Sequence, residues 1–107
     1  MIDDILRRVK LRLVDVTEPN EDNLRELVTS AIDRVNLRVG DDTLSPKLST
    51  IAVDVSVKMY RRLYFEGISS ENADTLSTSF VDNILDEYSA EFSAYVESKG
   101  AWRFKSL

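Results

Sequence analysis

The chain has 107 residues, enough for one domain around a single core and too few for a second. It holds no cysteine and no histidine, which removes disulfides, thiolate nucleophiles, zinc-thiolate sites and the commonest general base and metal ligand, and with them most familiar enzyme chemistries. The net charge of −5 is poorly suited to sequence-independent DNA binding, which needs clustered Lys and Arg to release phosphate counterions, though it leaves open a channel that DNA must not stick to.

The opening Met1-Ile2-Asp3-Asp4 lacks a basic leader region, and no apolar run approaches the roughly 20 residues that span a bilayer. A soluble intracellular product with no membrane partner is expected. Ile2, Ile5, Leu6, Val9 and Leu13 fall on one helical face with Arg7, Arg8 and Arg12 around the rest, which predicts a first amphipathic helix over 2–14. Thr17-Glu18-Pro19-Asn20 breaks it. Asn20 is the N-cap of a second helix, with Glu21 and Asp22 in the first turn where the helix dipole favours negative charge. Leu24, Leu27, Val28, Ala31, Ile32 and Val35 carry that helix to about residue 38, and Gly40-Asp41-Asp42-Thr43 ends it in a turn.

Ser45-Pro46 reads as an N-cap followed by proline at the first helical position, opening a third helix over 45–66 that Gly67 closes. Leu48, Ile51, Ala52, Val55, Met59 and Leu63 form one face, and Val53, Val57, Tyr60 and Tyr64 a second beside it. Only Thr50, Asp54, Lys58 and Arg61 keep a polar stripe. A surface helix needs an apolar arc of roughly 100°, whereas this one spans about 200°. The surplus must be covered by the rest of the chain or by a neighbouring copy, and a surplus of this size points to assembly.

Residues 67–80 show neither the helical nor a clean strand period, and their six Ser and Thr side chains suit a long polar loop, either plainly flexible or functional, with a short β-hairpin possible inside it. A fourth helix is predicted over 82–99, with Val81, Leu85, Tyr88, Phe92 and Val96 on one side and Glu87, Ala90, Glu91 and Ala94 on the other, stopped by Gly100. The acid is concentrated here: residues 67–100 hold seven acidic side chains against the single basic Lys99. The last seven residues reverse sign, with Arg103 and Lys105 beside Trp102 and Phe104. Two aromatics in so short a tail are expected to dock, on the chain's own core or on a partner.

Asp82, Asp86, Glu87 and Glu91 read as a solvated acidic face rather than a cation site, since carboxylates alone usually hold a metal only in a shaped loop. Asp41-Asp42 reads as turn chemistry. The three scattered glycines build no phosphate-binding loop, so neither cofactor nor metal is expected. Tyr60, Arg61, Arg62, Tyr64 and Phe65 could stack on nucleic-acid bases, but at helical spacing on an apolar helix they are better explained as core or subunit packing.

The order of these features resembles the small head-tail connector, or adaptor, proteins of tailed bacteriophages. The resemblance lies in Val9-Lys10-Leu11-Arg12-Leu13, in the helix from Leu24 to Ile32, and above all in Tyr60-Arg61-Arg62-Leu63-Tyr64-Phe65-Glu66-Gly67-Ile68-Ser69-Ser70-Glu71. Ser77-Thr78-Ser79-Phe80 and the aromatic, acidic last helix complete it, and Asn72-Ala73-Asp74 departs from it where relatives often have a glycine. It implies an all-α, non-catalytic subunit, residues 1–100 forming the domain and 101–107 a tail. Such subunits form a ring of about a dozen copies beneath the portal, bound on the other side by the next neck or tail-completion protein, with genome DNA passing through unbound. Localisation follows as the virion neck, after assembly in the host cytoplasm. Subunit and partner contacts are expected at Tyr60, Arg61, Tyr64, Gly67, Ile68, Leu76, Phe80, Trp102, Arg103 and Phe104. The alternative is a small helical protein-binding regulator, antitoxin-like or transcription-associated, disfavoured by the lack of a basic recognition helix. An enzyme ranks third, for want of a nucleophile-base pair.

Overall fold

The computed structural model describes residues 2–14, 20–65 and 78–105, with side chains described for 2–14, 20–63 and 79–99. The described residues form five α-helices and one 3-10 turn: α1 (Ile2–Arg12), α2 (Glu21–Val39), the turn Pro46–Leu48, α3 (Ser49–Phe65), α4 (Thr78–Asp86) and α5 (Ser89–Lys105), with no strand among them. The expected all-α class holds, with one more helix than the four anticipated.

Local signals set several boundaries. Asn20 is extended and its side-chain oxygen accepts from Asn23 N at 3.0 Å, satisfying one of the orphan amides at the start of α2. Gly40 takes a left-handed φ of 77° so that its N–H and that of Asp41 both reach Asn36 O, at 2.8 and 2.9 Å. Ser45 caps the Pro46–Leu48 turn, its hydroxyl accepting from Lys47 N at 3.3 Å, and α3 continues from there.

α3 is the hub, packed against α1, α2 and α4. Val53 and Val55 are fully buried, Tyr60 is 6% exposed, and Ala52, Met59 and Leu63 are buried with them. The broad apolar arc is therefore consumed by the subunit's own helices. Over its described side chains it leaves little surplus for a neighbouring copy, which weakens one of the grounds for expecting assembly: a helix enclosed on three sides needs an apolar arc well beyond 100°. Buried Ser56 is satisfied within the helix, donating to Ala52 O at 2.8 Å.

The predicted fourth helix is two helices, and it starts earlier. Thr78–Phe80, expected in the loop, already form the first turn of α4. At Glu87 and Tyr88 the backbone tightens to three-residue hydrogen bonds, Glu87 N to Ile84 O at 3.1 Å and Tyr88 N to Leu85 O at 3.0 Å, before α5 begins. The break lets α4 pack on α3 while α5 packs on α2. Val81, Ile84, Leu85 and Phe92 are buried, but Val96, assigned to the same face, is 42% exposed beyond the break. Gly100 does not stop the last helix, whose backbone runs on through it to Lys105. A glycine inside a helix costs only about 1 kcal/mol relative to alanine and need not end it.

Candidate assembly surfaces

Polar groups tie the helices together at three places. On the α1 side, Arg8 donates to Thr50 Oγ1 at 2.9 Å and Arg12 to Asp54 at 2.7 Å, while Lys10 pairs with Glu21 at 2.7 Å and Arg25 with Asp3 at 3.1 Å. Part of the polar stripe of α3, at Thr50 and Asp54, is thus a seam to α1. The same stripe holds the α4–α5 break: Lys58 pairs with Glu87 at 2.7 Å and lies 5.1 Å from the Tyr88 ring centre, and Tyr88 Oη donates to Asp54 at 3.4 Å. The Glu87 hydrogen bond holds the Lys58 ammonium above its ordinary pKa, and burial pushes the Tyr88 hydroxyl up, so both keep their protons across the neutral range.

The acidic face at Asp82, Asp86 and Glu87 is exposed, yet each of these acids meets a base. Arg38 of α2 lies 2.9 Å from Asp86 and 3.9 Å from Asp82. Pairs this exposed are worth about 0–1 kcal/mol each, so they orient α4 more than they stabilise it. Further along, Glu91 and Glu97 are exposed and make no ion pair among the described residues. No cluster of potential metal ligands occurs among the described residues, and no helix among them is long and apolar enough to cross a membrane.

The third tie involves Asp41, read from the sequence as turn chemistry alone. Tyr95 Oη and Lys99 Nζ both donate to its carboxylate, whose side chain is 16% exposed, and thereby pin α5 to the turn after α2. The Lys99 hydrogen bond, then that of Tyr95, holds this carboxyl below its ordinary value. A depressed folded-state pKa contributes stability that is present above the unfolded value near about 4 and is lost as pH falls through the folded value. Asp41→Asn is therefore expected to lower the melting temperature at pH 7, with the gap from wild type closing on acidification below about pH 4. Melting curves of both proteins across that range check this. A gap that stays constant with pH would place the contribution elsewhere. The tie was missed because its members are more than fifty residues apart, with no local signal linking them.

Of the anticipated contact residues, Tyr60 lies in the subunit's own core and Arg61 is half-buried on α3. Phe80 is half-buried on α4, its ring 4.8 Å from the Arg62 guanidinium, so the aromatic-arginine cluster at this end is partly an α3–α4 contact. Beside it a cleft of about 160 Å³ is lined by Leu27, Arg34, Met59, Leu63 and Val81. Gly67, Ile68 and Leu76, and the side chains of Tyr64, Trp102, Arg103 and Phe104, lie outside the described residues, as does the anticipated hairpin.

The family model described as phage gp6-like head-tail connector protein matches residues 4–95, from the first turn of α1 to the Asp41 tie on α5. The last twelve residues lie beyond that match. No curated protein and no solved structure matches the chain.

Proposed function

Because the chain belongs to the phage gp6-like head-tail connector family, a family of structural virion proteins, we propose that it is a neck subunit that forms a ring below the portal. The ring joins the DNA-filled head to the tail-completion proteins and lets the genome pass through its centre. The observation that carries this reading is the family match across α1 to α5, on a chain without cysteine or histidine. Two features support the finer parts. The unpaired acids Glu91 and Glu97 give α5 a surface that repels phosphate, as a channel lining should. The polar segment between α3 and α4, with Gly67, Ile68 and Leu76, reaches an adjacent subunit or the next neck protein, together with Arg61 and Tyr64 near the end of α3 and Phe80 in the first turn of α4. The segment after Gly100, with Trp102, Arg103 and Phe104, anchors the portal, the cations meeting acidic groups there.

The subunit is made in the host cytoplasm and ends in the virion neck, without a cofactor. Mixing it with purified portal rings tests the proposal: it should join them as multiple copies, whereas a regulator would remain a free monomer or dimer.

A further inference from the structure

Among the described residues, the large exposed apolar side chains other than Val96 fall into two places that the fold holds apart. Leu11 and Val14 are 62% and 83% exposed at the end of α1, and Leu37 is 84% exposed near the end of α2. Single exposed leucines are ordinary, but the charges beside these are not. Arg8, Lys10 and Arg12 are each committed to a partner within the subunit, whereas Arg7, one turn before Leu11, is exposed and has no partner among the described residues. Asp33, one turn before Leu37, is likewise exposed and unpaired, and so is Asp42 beside it. Arg7–Leu11 and Asp33–Leu37 share the same four-residue step, so two helices laid side by side in the same direction bring base to acid and leucine to leucine together.

The α2 side is also a built groove. A cavity of about 400 Å³ lies between α2, the turn after it and the start of α1, with Ile2, Ile32, Leu44, Asp33 and Asp42 in its lining. Asn36 stands in its wall, 8% exposed, and its buried Oδ1 has no hydrogen-bond partner. A buried acceptor left unpaired costs about 1–3 kcal/mol, and a donor arriving with an occupant would relieve that cost.

We propose that the occupant is a second copy of this chain: the end of α1, presenting Arg7, Leu11 and Val14, docks on the Asp33–Leu37 shoulder and groove of the next subunit. The two patches cannot meet within one subunit. The Lys10–Glu21 pair places the end of α1 beside the start of α2, and Leu37 lies sixteen residues further on, about 24 Å along the helix. Two different patches meeting make a head-to-tail contact, the kind that generates rings when the rotation closes. The inference rests on the ring reading above and supplies its interface.

The absence of native cysteine allows a direct test by oxidative cross-linking of the full chain. Both leucines are exposed, so Leu11→Cys and Leu37→Cys should fold. A mixture of the two single variants at high concentration should give covalent dimers, one chain of each kind, at least several-fold above either variant alone, and the double variant should give a ladder of dimers, trimers and higher species. Arg7→Asp on the Leu11→Cys chain should cut the mixed yield, and Asp33→Arg on the Leu37→Cys chain should restore it. Equal yields from the single variants alone, no ladder from the double variant, or no rescue by the reversed charge pair would overturn the interface. The native mass of the unmodified chain separates the failures: a ring that forms without these cross-links uses another face, and a chain that stays monomeric even with portal rings present defeats the ring reading itself.

Discussion

Val55→Asp is expected to abolish folding. Val55 is fully buried in α3, within the apolar cluster formed by side chains of the surrounding helices. An unpaired buried charge costs several kcal/mol, against a total stability of roughly 5–15 kcal/mol for a domain of this kind. The helical circular dichroism signal and the cooperative melt should both disappear. Leu37→Asp makes the same chemical change where the side chain is 84% exposed and should melt within a few degrees of wild type. A Val55→Asp chain that melts like wild type would remove α3 from its place as the hub.

Truncation after Gly100 is expected to separate folding from assembly. The Tyr95 and Lys99 ties to Asp41 remain in the shortened chain, as do all the buried side chains described, so its melting temperature should be unchanged and its helical signal should fall only by the share of residues 101–105 at the end of α5. What is lost is the Trp102-Arg103-Phe104-Lys105 segment, which lies beyond the family match. Aromatic anchors are commonly worth on the order of 2 kcal/mol or more each at an interface, and a ring repeats that contribution in every subunit. The truncated subunit should therefore fail to join portal-containing capsids. If truncation instead unfolds the subunit, the segment belongs to its own core; if the truncated protein still assembles, the portal anchor lies elsewhere.

The parts of this fold written in local chemistry were legible in the sequence. Asn20, Gly40 and Ser45-Pro46 mark helix ends because capping is decided within a few residues, and the spacing of Leu24, Val28, Ala31 and Val35 identifies a buried face without reference to any partner. Features set by distant residues were not. Nothing at Glu87-Tyr88 signals a break, since neither glycine nor proline is present; the tightened turn is held by Lys58 and Asp54 of α3. The apolar arc of α3 looked excessive because periodicity measures how much surface must be covered and not which molecule covers it. For the same reason the sequence placed Tyr60 among contact residues, although the subunit buries it in its own core. Leu37 and Arg7 drew no notice as a site, because a surface patch is defined by what its neighbours leave unpaired.

The central claim is that this subunit assembles on a portal, and the molar mass of the purified chain alone and after mixing with portal rings tests it most directly. Light scattering on the separated complex should show the portal peak gaining about a dozen times 12.2 kDa, one ring of this chain. An unchanged portal mass, with the chain eluting as a monomer or dimer in both samples, would contradict it.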